Sequence, residues 1–101
     1  MRKNESVEIP LPHVGEILKD YLAAVGATQY QLGIATGIPH SQITEIIKGR
    51  RGMSAAVAAR IAKAFGTSAQ LWLGYQQAWE LDRVMRTDAD AIAAVRELAA
   101  A

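Results

Sequence analysis

The sequence predicts an all-α protein, a bundle of five to six helices. Apolar residues recur at intervals of three and four along almost the whole chain. Glycines and small polar residues punctuate it at helix-length intervals, and the one short piece that suits an extended strand is Val7–Leu11. With 101 residues, 50% hydrophobic and 21% charged, the chain has the composition of one globular domain with a modest core. Little chain remains to shape a deep catalytic cleft.

The first helix is drawn by Val14, Ile17, Leu18, Tyr21, Leu22 and Val25, an apolar stripe with Pro12 ahead of it and Gly26 behind. His13 is placed to help start it. Thr28 and Gln31 have the spacing of a capping box, which sets a second, short helix over about 29–36 with Gly37 to end it. After a turn of about three residues, Pro39 suits the first turn of a third helix, buried through Ile43, Ile46 and Ile47 and stopped by Gly49. Ser54 caps a fourth helix whose Val57, Ala58, Ile61, Ala62 and Phe65 face inward before Gly66 closes it. Ser68 caps a fifth that runs to about Met85, and Asp88 a sixth that ends in the alanine tail with Ile92, Val95 and Leu98 as its stripe. The expected division is an arm over 1–11, a main domain over 12–86 and a C-terminal helix over 87–101.

Two short helices separated by about three residues cross steeply, and that is a helix-turn-helix. Its second helix turns Ser41, Thr44, Glu45 and Lys48 away from the buried isoleucines, with His40 and Gln42 at its N-terminal end, where such helices read base edges. Net charge is only +1, but residues 1–27, 28–67 and 68–101 carry balances of −1, +4 and −2, so the positive charge sits in the middle. Lys48, Arg50 and Arg51 follow the reading face, and Arg60 and Lys63 lie on the next helix, as phosphate contacts require. Thr28 and Gln29, at the start of the second helix, complete the expected DNA-binding set. Glu45 opposes it, since a groove carboxylate is repelled by phosphates unless it accepts from a cytosine amino group. The fifth helix is apolar over about half its circumference, more than one core needs, so Leu71, Trp72, Tyr75 and Trp79 are expected to meet a second protomer.

The segment Gln29-x-x-Leu32-Gly33-x-x-x-Gly37-Ile38-x-x-x-x-Ile43-x-x-Ile46 resembles the lambda-repressor-like (Cro/C1-type, XRE) family, with glycine at 33 where members usually carry alanine. The opening Pro12-His13-Val14-Gly15-Glu16-Ile17-Leu18 and the stretch Gly66-Thr67-Ser68-Ala69-Gln70-Leu71-Trp72-Leu73-Gly74-Tyr75-Gln76-Gln77-Ala78-Trp79-Glu80-Leu81 are similar to the HigA-type antitoxins and the related VapI group. Val14 replaces a proline of that pattern, and Gly74-Tyr75 an Asn-Leu pair. The resemblance, over about residues 10–85, implies a homodimer that binds a palindromic operator in its own promoter and neutralises a HigB-like toxin, a RelE-like ribonuclease. With the basic centre committed to DNA, the toxin is expected at the acidic ends or on the first helix.

Other classes fare worse. The chain has no cysteine, which excludes disulfides and thiolate metal sites, and His13 and His40 fall on different elements, so neither a metal nor another cofactor is expected. Glu80, Asp82, Asp88 and Asp90 read as helix surface and caps, with no companion nucleophile, so no enzyme is expected. No apolar run approaches the ~20 residues of a membrane span and no signal segment is visible, which makes a soluble, cytoplasmic protein the expectation. The alternatives kept open are a stand-alone transcriptional regulator without a toxin and an interaction module that no longer binds DNA.

Overall fold

The computed structural model describes residues 9–99, so most of the expected N-terminal arm and the last two alanines lie outside the described residues. Six helices follow one another: α1 (Val14–Val25), α2 (Gln29–Thr36), α3 (His40–Ile47), α4 (Ala55–Phe65), α5 (Ala69–Thr87) and α6 (Ala89–Ala93). Among the described residues there is no strand, Ile9–Leu11 included.

The sequence sets most of these limits through its caps. His13 Nδ1 accepts from the Gly15 N–H at 2.9 Å while Glu16 Oε2 accepts from the His13 N–H at 3.4 Å, a capping box built on a histidine. Thr28 and Gln31 form a second capping box, and the hydroxyls of Ser54 and Ser68 accept from the third residue beyond each. Gly26, Gly37 and Gly66 end α1, α2 and α4 in the left-handed conformation. Pro39 is the N-cap of α3 and not part of its first turn, and its carbonyl accepts from the Gln42 and Ile43 N–H groups.

The core forms where the stripes converge: Val14, Leu18 and Leu22 from α1, Ile43 and Ile46 from α3, and Val57, Ala58 and Ile61 from α4. Trp72 stands at its centre with 0% of its surface exposed. Its ring meets Tyr21 edge-on at 4.7 Å and stacks on Phe65 at 5.7 Å, and its indole N–H donates to Thr67 Oγ1 at 2.8 Å. α1 lies against α3 at Gly15, where an added Cβ would collide with the Ile46 carbonyl and come 2.9 Å from the Ile47 Cα. Only glycine permits that approach.

Two further expectations are corrected. Trp72, assigned to a second protomer, is core: it has no surface left to offer, because α1 and α4 enclose it. The C-terminal helix is one short turn over Ala89–Ala93 and does not continue into the alanine tail. Asp88 makes no side-chain cap bond to it, and Val95 and Leu98 are 73% and 94% exposed. With Val95 and Leu98 left in the open, the chain beyond Ala93 lacks the tertiary support that would extend so short a helix into the tail.

Candidate nucleic-acid interface

α2 and α3 are joined by Gly37-Ile38-Pro39, and Thr36 fixes that turn. Its hydroxyl donates to the Leu32 carbonyl at 2.7 Å and accepts from the Ile38 N–H at 3.2 Å, while Ile38 is buried beneath. Gly33 sits where the two helices touch, since a Cβ there would rest 3.2 Å from the Ile38 carbonyl oxygen. The turn between α2 and α3 is thus held by a glycine contact, a hydroxyl bridge and an apolar plug.

With Ile43 and Ile46 anchored in the core, His40, Ser41 and Lys48 stand exposed on the far side of α3. Thr44 and Gln29 face each other, the Thr44 hydroxyl donating to Gln29 Oε1 at 3.2 Å, so the first turn of α2 and the middle of α3 present one polar surface. Thr28 is exposed, its hydroxyl spent on the α2 cap. Gln42 is half-buried and lines a shallow cleft of about 220 Å³ with Pro39, Val57 and Arg60, so only part of its side chain lies beyond the helix.

The cations divide into two kinds. Lys48 and Arg51 are exposed beside the end of α3. Arg60 Nη1 instead donates to the Thr36 carbonyl at 2.9 Å and closes the C-terminus of α2, and Arg50 Nη1 meets Glu45 Oε2 at 3.2 Å. Of the expected DNA-binding residues, His40, Ser41, Lys48 and Arg51 therefore stand open, while Gln29, Thr44, Glu45 and Arg50 engage each other in pairs.

Sequence reasoning missed the device that holds the loop carrying Arg50 and Arg51. Gln76 of α5 is buried, its Oε1 accepting from the Met53 N–H at 3.0 Å and its Nε2 donating to Glu80 Oε2 at 2.9 Å. Gly52 leaves room for that amide, since a Cβ would come 2.7 Å from Gln76 Nε2. The available signal was a glutamine four residues after Trp72 on the apolar side of α5. His13 closes the other flank. Its ring packs edge-on against Trp79 at 4.7 Å, with Gly49 on a further side, and Arg83 lies over the Trp79 ring at 5.4 Å. Burial pushes the imidazole below the usual histidine range, against a smaller upward pull from Glu16.

Of the expected dimer residues, Tyr75 is half-buried beside Tyr21, which holds its hydroxyl above the usual phenol range, and Trp79 keeps part of its ring outside the His13 contact. Leu71 is half-buried. The apolar surface that stays open on α5 lies further along, with Leu81 63% and Met85 52% exposed. Among the described residues no group of three His, Asp or Glu is placed to hold a metal ion, and no helix is long and apolar enough to cross a membrane.

Comparison with known proteins gives concordant results. The helix-turn-helix domain family matches residues 13–72. Virulence-associated protein I of Dichelobacter nodosus is 40% identical over 75 residues, covering 73% of this chain and 69% of that protein. The structure is similar to that of a HigA-family addiction module antidote protein from Coxiella burnetii, with a TM-score of 0.84 and 30% identity over 89% of this chain and all of the other. It is also similar to the Pseudomonas aeruginosa antitoxin HigA solved with the higBA promoter, with a TM-score of 0.80 and 28% identity over 87% and 98% of the two chains.

Proposed function

The chain belongs to the helix-turn-helix family of regulators that includes the HigA antitoxins, and from that premise we propose that it is the antitoxin of a HigBA-type module. In this reading it binds a palindromic operator as a dimer, represses its own promoter and neutralises a RelE-like ribonuclease. The observation that carries the reading is the surface of α3: His40, Ser41 and Lys48 are exposed on a helix anchored by buried isoleucines, and Arg51 stands beside its end. That arrangement suits a helix whose start reads bases while the cations beyond it hold phosphates. The similarity to an antitoxin solved with its promoter DNA supports the DNA-binding part of the reading.

Two copies are required for half-sites one DNA turn, ~34 Å, apart. We assign the partner to the flank of α5 bearing Leu71, Tyr75, Ala78, Leu81 and Met85, in place of the buried Trp72. Leu11 and Pro12 border that flank in a shallow apolar cleft with Ile17, Tyr75 and Ala78, and the Leu11 N–H donates to Asp82 Oδ2 at 3.3 Å. Neutralising a toxin needs no catalysis, only a stable complex. The test is co-expression with the neighbouring open reading frame. That product should arrest growth alone, be silenced by this chain and copurify with it, whereas a neighbour with neither property leaves a stand-alone regulator.

A further inference from the structure

The ion pair at the end of α3 joins two residues that the DNA reading gives opposite tasks, Glu45 on the reading face and Arg50 among the phosphate cations. The backbone builds the pair. Gly49 turns left-handed at φ 77°, its N–H donates to the Ile46 carbonyl at 3.0 Å, and the Arg50 N–H returns to the Glu45 carbonyl at 2.9 Å. This is the Schellman closure of a helix, and it brings the Arg50 side chain back over Glu45, where Nη1 and Oε2 meet at 3.2 Å. The two side chains are 62% and 41% exposed, a setting in which an ion pair adds little to stability. What it does instead is occupy a cation that the DNA reading counts among the phosphate contacts.

Resting on the DNA reading of α3, we propose that Glu45 is a specificity-determining residue that withholds Arg50 from phosphates on DNA of the wrong sequence. On such DNA, opening the pair leaves a carboxylate with no donor against the negative potential of the groove, so the pair stays closed and Arg50 releases few counterions. Where a cytosine amino group stands beneath α3, Glu45 accepts from it, and the freed guanidinium reaches a phosphate. A wrong base at that position therefore removes two contacts together. The exposed carboxylate on the reading face ceases to be an anomaly of a DNA-binding helix.

The test is a double-mutant cycle on two duplexes, one from the DNA immediately upstream of the gene and one of the same composition scrambled, titrated over a range of salt. Glu45→Gln should tighten scrambled DNA by roughly two- to fivefold, the range expected when an exposed ion pair is released. Arg50→Ala should lower the scrambled salt slope by about one unit in the Glu45→Gln background and by clearly less in the wild type. Arg51→Ala serves as the reference cation and should lower the slope by about one unit on both duplexes in either background. Equal slope losses for Arg50→Ala in both backgrounds would overturn the proposal while leaving the DNA reading intact. If Arg51→Ala also leaves both duplexes unchanged, it is the DNA reading that fails.

Discussion

His13 does three things with one imidazole: it caps α1, packs edge-on against Trp79 and faces the turn at Gly49. The cap requires an unprotonated Nδ1, so protonation replaces an acceptor with a donor aimed at the Gly15 N–H. Because burial lowers the folded-state pKa, the unfolded chain binds more protons between that value and the ordinary 6.5. Stability should therefore be complete above about pH 6.5 and decline as pH falls below it. Asparagine also caps helices and does not titrate, so thermal melts at about pH 7.5 and 5.5 should show a smaller acid loss for His13→Asn than for wild type. An equal loss in both removes His13 as the cause. At this scale the sequence was legible wherever a residue acts on its own neighbours, as with His13, Thr28, Ser54 and Ser68. It was least legible where a side chain meets a partner far along the chain. Nothing local reveals that Gln76 serves Met53, or that Trp72 is buried outright, with Tyr21, Phe65 and Tyr75 among its neighbours.

Elements meet at a few positions that admit no substitute. An alanine at Gly15 must push α1 off α3, so Gly15→Ala should destabilise by about 1–3 kcal/mol or more and loosen the whole helix-turn-helix, measured by denaturant unfolding. Gln76→Ala leaves the Met53 N–H buried without its acceptor, at a cost of about 1–3 kcal/mol. It should also weaken all DNA, because the loop from Lys48 to Met53 loses its tie to α5. A variant that melts like wild type and binds scrambled duplex unchanged would show that the tie is not needed. The boundaries of α1 to α4 were legible because each has a cap or an end glycine that acts locally. α6 was not, because a stripe of Ile92, Val95 and Leu98 states an ability to pack without naming a surface. The helix ends where packing ends.

The molecule as a whole presents two faces with different chemistry: a polar, cationic one on α3 and the loop after it, and an apolar flank along α5. If the second joins protomers, Ala78→Arg should separate the dimer in sedimentation and weaken the upstream duplex far more than a single half-site, because two weak half-site contacts then act alone. Unchanged sedimentation places the interface elsewhere. The helix-turn-helix was legible from seven spaced positions, since glycine, turn and aliphatic anchors are all local to residues 29–46. The division of cations was not: Arg60 closes α2 and Arg50 engages Glu45, and only the fold shows which charges remain to be shared. The most direct measurement of the central claim, that the start of α3 reads bases, is titration of His40→Ala and Ser41→Ala against the upstream and scrambled duplexes. Each should cost roughly 1–3 kcal/mol on the upstream duplex and leave scrambled binding nearly unchanged. Equal losses on both duplexes would contradict the account and take α3 out of the major groove.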